Sequence, residues 1–192
     1  TYHIITIGCQ MNVSDSERLA SQLEEDGYKK TDNKYGADLV IINTCGVRQS
    51  AENRIYGLIP KIKSENSGAK VVLTGCLSER KDVRRRLGDY VDEWLPIGQM
   101  TNDKFLMAKI PPTPFFKGEK HDNYLNIKPI YESKFSALVP IGNGCDNFCA
   151  YCVVPYARGR EVYRPAEEIL AEVKALVKRG YREIILIAPE DL

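Results

Sequence analysis

The chain has 192 residues, of which 43% are hydrophobic and 28% charged, and its formal net charge of +1 says nothing decisive about partners. This length supports one substantial domain and part of another. The sequence has neither a stretch of 18 apolar residues nor a basic, apolar leader, so we expect a soluble, cytoplasmic protein with no membrane partner. Six cysteines without secretory features favour metal or redox chemistry over disulfides.

Three hydrophobic, β-branched runs in the first 76 residues each end at a cysteine. They are HIITIG (3–8), DLVIINT (38–44) and KVVLTG (70–75), which lead into Cys9, Cys45 and Cys76. Runs of this kind, bounded by turn residues, are typical of buried parallel strands. We therefore predict three strands of one sheet, each followed directly by a thiol.

Helical patterns separate these strands. Ser14 and Glu17 form a capping-box pattern that predicts a helix through about Asp26, with Gly27 at its end. Residues 49–63 carry apolar side chains on one helical face. Alternating strands and helices predict an α/β fold, with a parallel sheet that helices cover on both faces.

The three cysteines that follow these strands should lie close together. Parallel strands share one carboxyl edge and are about 4.8 Å apart, so the loops that leave them can bring three sulfurs around one cluster. A single buried cysteine is usually structural. Three at the same topological position favour a metal cluster with Cys9, Cys45 and Cys76 as ligands.

The rest of the first half predicts a basic helix, a short strand and a linker. We interpret the basic run of residues 80–86 as a solvated helix face. A strand is expected at 93–97 and a helix near 102–109, and the prolines of 111–114 mark an extended linker. The predicted organisation is a domain at 1–110, a linker at 111–129 and a second domain at 130–192.

The second domain opens with a strand, a cysteine loop, a helix and a strand. FSALVPI (135–141) has a strand pattern, Pro165 opens an amphipathic helix that Gly180 ends, and EIILIA (183–188) predicts a parallel strand covered on both faces. This order is one βαβ unit. Ligands of such sheets bind at the carboxyl ends of strands, which is where the cysteine loop falls.

That loop, GCDNFCAYC (144–152), is a C-x3-C-x2-C motif made by Cys145, Cys149 and Cys152. Three thiolates can hold three irons of a 4Fe-4S cluster and leave the fourth iron open to another ligand. A zinc site is a competing interpretation, but structural zinc sites close with four ligands, and His3 and His121 are far from the loop in sequence. Disulfide formation and chemically inert thiols compete with the cluster as well.

Three arginines follow the cysteine loop closely. Arg158, Arg160 and Arg164 stand where cations could meet substrate phosphates or a ligand carboxylate. Pairing with Glu161 or capping of a helix is the competing interpretation. Arg158 is our candidate for cofactor or substrate binding.

The spacing of the second cysteine trio resembles the signature of the radical S-adenosylmethionine superfamily. In that superfamily the amino and carboxylate groups of the methionine moiety bind the open iron. The resemblance implies S-adenosylmethionine as a cofactor and places Tyr151, the aromatic residue before the third cysteine, against its adenine. A lone tyrosine outside such a motif is more often simply packed.

Five motifs extend this likeness over both halves of the chain: GCQMN (8–12), NTCGVR (43–48), AENR (51–54), TGC (74–76) and GCDNFCAYCVVPYARGRE (144–161). Together they resemble the methylthiotransferase family of radical S-adenosylmethionine enzymes. The resemblance implies a flavodoxin-like N-terminal domain that holds an auxiliary 4Fe-4S cluster through the first cysteine trio. It also implies a second 4Fe-4S cluster on the second trio, in a partial (β/α) barrel of which this chain has the first βαβ unit.

The same resemblance implies a reaction. One cluster cleaves S-adenosylmethionine to a 5′-deoxyadenosyl radical and the other delivers sulfur, so that a methylthio group enters C2 of N6-isopentenyladenosine next to the tRNA anticodon. The implied partners are tRNA, S-adenosylmethionine and a reductant such as flavodoxin or ferredoxin, and a monomer is expected.

Two further branches of the family differ in substrate. One acts on threonylcarbamoyl-adenosine of tRNA and the second on an aspartate of a ribosomal protein. Members of the ribosomal branch tend to have Pro-Lys-Asn after the first cysteine and Asp before Thr-Cys, whereas this chain has QMN (10–12) and Asn43. The isopentenyladenosine branch is therefore favoured, and the threonylcarbamoyl branch stays open.

A rival from a different class is a non-enzymatic iron-sulfur carrier. Electron carriers generally close their clusters with a fourth cysteine, and six cysteines in two trios leave none to spare. A complete family member also continues well past residue 192. In addition, this chain has PEDL (189–192) at the position where the family usually has Gln-Asn or Gln-Asp. We therefore expect a fragment or a gapped chain, with an incomplete second domain.

Overall fold

The computed structural model of the protein describes residues 1–97, 125 and 127–189. Its first unit is a parallel sheet with the strand order β1-β2-β3-β4, made of Tyr2–Ile7, Leu39–Thr44, Lys70–Gly75 and Glu93–Leu95. Three helices connect these strands: α1 (Gln10–Glu25), α2 (Gln49–Glu65) and α3 (Lys81–Leu87). All three strand pairs are parallel, so the strands end at the same edge of the sheet.

Helices cover both faces of this sheet. On one face, leucines of α1 pack with Leu39 and Ile41. On the other face, isoleucines of α2 pack with Val40 and Ile42, because successive side chains of a strand point to opposite faces. The predicted α/β class is confirmed. The strands follow chain order, whereas flavodoxin itself has the order 2-1-3-4-5.

Helix α1 begins earlier than the sequence pattern predicted, so the capping box at Ser14 and Glu17 is wrong. Cys9 is the N-cap, and its backbone N–H donates to Asn12 Oδ1 at 3.1 Å. The Ser14 hydroxyl instead accepts a hydrogen bond from Arg18 Nη1 at 2.6 Å, inside the helix. The first cysteine therefore belongs to the helix start itself and not to a free loop.

The second unit contains the expected βαβ arrangement. Strands β5 (Ser136–Pro140) and β8 (Glu183–Ile187) pair in parallel, and helix α5 (Ala166–Lys178) connects them. Three short elements between β5 and α5 were not predicted. They are the antiparallel pair β6 (Gly142–Asn143) and β7 (Val162–Tyr163), and helix α4 (Val154–Arg158).

Strand β8 does not have the burial that its apolar sequence predicted. Leu186 is 53% exposed, and Ile187 at the end of the strand is buried. Within the described residues β8 belongs to a two-stranded sheet, which is too small to be covered on both faces. The expectation of a strand buried on both faces is therefore wrong for this chain.

Helix α1 also joins the two units. The Glu17 backbone carbonyl accepts a hydrogen bond from Ile130 N at 3.1 Å, and its carboxylate Oε1 accepts one from Glu132 N at 3.0 Å. Glu132 in turn pairs with Lys30 at 2.7 Å. Burial raises the pKa of Glu17 to about 6 in spite of these contacts. One helix thus contacts both the sheet and the start of the second unit.

Some sequence predictions lie outside the described residues: the helix near 102–109, the prolines of 111–114 and His121. In the described ranges, none of the helices has the length and apolar character that a membrane span requires.

Candidate functional site

The first cysteine trio lies at one edge of the four-stranded sheet, as predicted. Ile7, Thr44 and Gly75 are paired across β1, β2 and β3, so these three strands end in register. Cys45 and Cys76 follow Thr44 and Gly75 directly, and the Cys45 N–H donates to the carbonyl of Ile7 at 2.9 Å. Cys9 stands two residues after Ile7, at the start of α1.

Cys45 and Cys76 are both buried, at 3% and 4% exposure, whereas Cys9 is partly exposed. Because Gly46 has no side chain, the loops that carry Cys45 and Cys76 can approach each other closely. A β-carbon at Gly46 would lie only 3.0 Å from Cys76 Cβ. Burial raises the pKa of the Cys76 thiol, the positive charge of Arg158 opposes that rise, and Cys45 adds to it. A bound cation would stabilise the Cys76 thiolate, which burial alone disfavours.

A buried polar network lies beneath the first trio. The side-chain amide of Asn12 donates to Asn43 Oδ1 at 3.0 Å, and Asn43 Nδ2 donates to the Asn12 carbonyl at 2.8 Å and to Ser16 Oγ at 3.0 Å. The Cys9 thiol donates to Asn12 Oδ1 at 3.3 Å. This network fixes Cys9 relative to β2. Asn43, a polar residue in a largely apolar strand, is the sequence signal that could have revealed it.

The second trio lies in the loop between β6 and α4. Cys145 is buried and its N–H donates to the Gly159 carbonyl at 3.2 Å, while Cys149 is exposed and Cys152 is partly buried. The Cys152 N–H donates to the Cys149 carbonyl at 2.9 Å, which closes a turn between these two thiols. Phe148, directly before Cys149, adopts a left-handed backbone conformation with φ of 47°, which is uncommon for a residue with a bulky side chain.

The thiols suit iron-sulfur clusters by their chemical type. All six cysteines are free, and each trio sits where loops leave the carboxyl ends of strands. Thiolates are the ligands that iron-sulfur clusters prefer. In the part of the chain that the structure describes, no three His, Cys, Asp or Glu side chains are grouped closely enough to hold a metal ion. The predicted assignment of each trio to one cluster stays a prediction.

The two trios adjoin each other through α4. Val153, just before α4, packs in the cluster that contains Cys76, and its Cγ1 would lie 2.8 Å from a β-carbon at Gly46. Ala157 of α4 is buried in the same cluster. The cysteine loop of the second unit is therefore docked at the edge of the sheet that carries the first trio.

A buried ion pair strengthens this docking. Arg158 Nη2 lies 2.5 Å from Asp15 Oδ2, and both side chains are only 1% exposed. Arg158 Nη1 also donates to Asn143 Oδ1 at 3.2 Å. The prediction that Arg158 binds S-adenosylmethionine or substrate is not tested by these contacts. Sequence reasoning missed Asp15, because nothing local links it to a residue so far along the chain.

The other predicted site residues differ in their environment. The Tyr151 ring is 84% exposed beside Cys152, and its contact with adenine stays a prediction. Arg160 pairs with Asp146 at 3.1 Å and Arg164 with Glu172 at 2.6 Å. With the pair of Arg158 and Asp15, pairing within the protein thus accounts for all three arginines after the cysteine loop.

Two family models match the chain. One, described as an uncharacterized protein family, UPF0004, matches residues 1–94, and the radical SAM superfamily model matches residues 139–192. The two matches coincide with the two units that carry the two cysteine trios.

Several similar curated proteins carry the name tRNA-2-methylthio-N(6)-dimethylallyladenosine synthase. The protein of Finegoldia magna is 37% identical over 97% of this chain and 42% of its own length. Those of a Thermoanaerobacter species and of Carboxydothermus hydrogenoformans are 40% identical over 97% of this chain, and over 42% and 45% of their lengths. The chain belongs to the methylthiotransferase family of radical S-adenosylmethionine proteins. It spans less than half the length of these relatives.

The two family matches divide the two cysteine patterns of the chain between them. The family likeness covers the strand-end trio of the first unit and the C-x3-C-x2-C loop of the second. The resemblance drawn from the sequence motifs is therefore confirmed at the level of the family.

Proposed function

We propose that this protein is a radical S-adenosylmethionine methylthiotransferase that inserts a methylthio group at C2 of N6-isopentenyladenosine next to the tRNA anticodon. The observation that carries the proposal is the docking of two separate thiol trios at one sheet edge, in a chain whose relatives bear the name of that synthase. Neither trio alone offers both an activating and a sulfur-delivering site.

Each trio would hold one 4Fe-4S cluster. Cys145, Cys149 and Cys152 would bind the first, and Cys9, Cys45 and Cys76 the second. When bound, these clusters supply the electron that cleaves S-adenosylmethionine and the sulfur that reaches the substrate carbon. Three ligands per cluster leave one iron of each open, which is the chemical requirement for binding a further ligand.

The protein's own residues position these groups. The exposed ring of Tyr151 is available to stack on the adenine of S-adenosylmethionine. Phe148 and Tyr156 support the loop through an edge-to-face contact of 6.0 Å between ring centroids. The Asn12 and Asn43 network holds the backbone around Cys9.

The remaining features of the proposal are its partners, its location and its domain organisation. The partners are a tRNA substrate, S-adenosylmethionine and a reductant such as flavodoxin or ferredoxin, and the protein acts as a monomer in the cytoplasm. The proposed organisation places the domain of the auxiliary cluster at 1–110, a linker at 111–129 and the radical domain at 130–192.

Nucleoside analysis of tRNA tests this proposal. In cells that lack the gene, 2-methylthio-N6-isopentenyladenosine should disappear and N6-isopentenyladenosine should accumulate, because the methylthio step is lost after the isopentenyl step is complete. The control is the same strain complemented with the gene. Loss of a methylthio-threonylcarbamoyl nucleoside, or of a modified ribosomal-protein aspartate, would assign the protein to another branch. Unchanged nucleosides and ribosomal protein would favour the iron-sulfur carrier.

A further inference from the structure

Positive charge is concentrated in one segment of the first unit. Residues 48–89 carry ten lysine and arginine side chains against five aspartate and glutamate side chains, a formal net charge of +5. The whole chain has a net charge of only +1, so the rest of the sequence carries −4. An excess that is confined to one segment indicates a surface for an anionic partner, because solubility alone requires no such separation of charge.

The fold places this excess on one face of the parallel sheet. Side chains of α2 and α3 pack in the same buried cluster, on the face opposite to α1. The two helices also contact each other: Arg80 Nη1 lies 2.6 Å from Glu52 Oε2, and Arg86 Cζ lies 3.7 Å from the ring centroid of Tyr56. The basic run of residues 80–86 therefore adjoins a second helix that carries exposed cations of its own.

The exposed cations of these two helices and their N-caps form what we call the basic face. Its members are Arg48, Arg54, Lys61, Lys81, Arg85 and Arg86. The carboxylates around it pair with other cations, namely Glu52 and Asp82 with Arg80, Glu79 with Arg84, and Asp92 with Lys63. Between residues that the structure describes, no ion pair includes a member of the basic face. Its charges are therefore available to an external anion.

The chemistry of the basic face fits a phosphate backbone better than a protein surface. Four of its six cations are guanidinium groups, whose planar donors match phosphate oxygens in bidentate pairs. The centre of a protein interface is instead rich in aromatic and apolar side chains. In the described residues 1–97, only Val47 and Tyr90 are large hydrophobic residues with exposed side chains.

The basic face starts beside the cysteines of the first unit. Arg48 is the N-cap of α2, three residues after Cys45, and Lys81 is the first residue of α3, five residues after Cys76. Both helices lead away from the carboxyl edge of the sheet, since each connects one parallel strand to the next. Helix α2 has 17 residues and is therefore about 26 Å long, which is enough to span several phosphates of an RNA.

We propose that the basic face binds the phosphate backbone of the tRNA substrate, outside the nucleotide that is modified. This inference rests on the proposed function, which supplies RNA as the substrate and places the modified base at the cysteine edge. Phosphate contacts position a nucleic acid without reading its sequence. The basic face thus sets the affinity and orientation of the RNA, whereas the cysteine trios act on one base.

The salt dependence of RNA binding tests this inference. The full-length, anaerobically reconstituted protein is titrated into fluorescently labelled, isopentenylated tRNA, and anisotropy gives Kd at several concentrations of potassium chloride between about 50 and 200 mM. The double variant Lys81→Gln/Arg85→Gln should bind about tenfold more weakly than the parent at the lowest salt and nearly as well at the highest. The slope of log Kd against log salt should fall by about 1.5, because each lost phosphate contact removes about 0.7–0.9.

Two matched variants separate the basic face from charge in general. Lys174→Gln/Lys178→Gln removes two exposed cations at the same spacing from α5 of the second unit, and should leave both Kd and the slope unchanged. Lys81→Arg/Arg85→Lys keeps both charges of the basic face and should also bind like the parent. An equal loss of affinity in the α5 variant and in Lys81→Gln/Arg85→Gln would overturn the inference, because any removed cation would then have the same effect.

The remaining outcomes separate this inference from the proposed function. Unchanged Kd and slope in Lys81→Gln/Arg85→Gln, with a parent that methylthiolates the tRNA, would overturn the inference alone. Slower reduction of this variant by flavodoxin, with unchanged RNA binding, would also overturn it and would assign the basic face to an acidic protein. A parent with the expected slopes that forms no methylthio nucleoside would overturn the proposed function and leave the RNA surface standing. A parent that neither binds nor modifies tRNA would overturn both.

Discussion

Replacing Cys149 with alanine in the full-length protein is expected to abolish formation of 5′-deoxyadenosine, whereas Cys45→Ala should retain most of it and lose the methylthio product. Cys149 is an exposed thiol of the C-x3-C-x2-C loop, and Cys45 is a buried thiol at the sheet edge. The two residues lie in separate trios, so each substitution should affect only one cluster. Liquid chromatography of a reaction with dithionite, S-adenosylmethionine and isopentenylated tRNA measures both products.

A second variant of the first trio serves as the control for this separation. Cys76 is buried like Cys45 and directly follows the neighbouring strand, so Cys76→Ala should have the phenotype of Cys45→Ala. Equal loss of both products in Cys149→Ala and Cys45→Ala would contradict the division of labour between the trios. Circular dichroism of each variant checks that the fold is intact.

A β-carbon at Gly75 is expected to destabilise the protein strongly. Gly75 has φ of 87°, and a β-carbon there would lie 2.2 Å from the carbonyl oxygen of Thr44, which is backbone and cannot move aside. The left-handed conformation costs about 1 kcal/mol and the overlap adds about 1–3 kcal/mol, so Gly75→Ala should lower the free energy of unfolding by about 2–4 kcal/mol. Urea denaturation of the apo protein measures this change, and displacement of Cys76 should also reduce iron binding.

Gly27 provides a matched control for Gly75. Its φ is 86°, and no heavy atom of the described residues beyond Gly27 and its two chain neighbours lies within 4 Å of the position of its β-carbon. Gly27→Ala therefore carries the conformational cost alone, about 1 kcal/mol. An equal decrease in the free energy of unfolding for Gly75→Ala and Gly27→Ala would show that the close approach of β3 to β2 at Gly75 adds nothing to the destabilisation.

Much of the first unit could be predicted from the sequence. The run before Cys76 was expected at 70–75 and forms β3 (Lys70–Gly75). A β-branched, apolar run between turn residues is typical of a buried strand. The placement of Cys45 and Cys76 at one edge followed from the parallel order of the strands. The sequence was thus sufficient to predict the long, strongly patterned elements and their topology.

Short elements and contacts between residues far apart in the sequence could not be predicted. Helix α4 has five residues and strands β6 and β7 have two each, which is too short for a periodic pattern. The start of α1 was misplaced because Ser14 and Glu17 fit a capping pattern while Cys9 and Asn12 cap the helix. The pair of Arg158 with Asp15 joins residues 143 positions apart, a contact that only the tertiary structure reveals.

The iron content of three anaerobically reconstituted proteins tests the central claim that each trio holds its own cluster. The full-length protein should bind about eight irons, and each variant in which one whole trio is replaced by alanine should bind about four, since a 4Fe-4S cluster contains four irons. Addition of S-adenosylmethionine should change the electron paramagnetic resonance spectrum only when Cys145, Cys149 and Cys152 are present. About four irons in the unmodified protein, or loss of all iron on replacing either trio, would contradict two independent clusters.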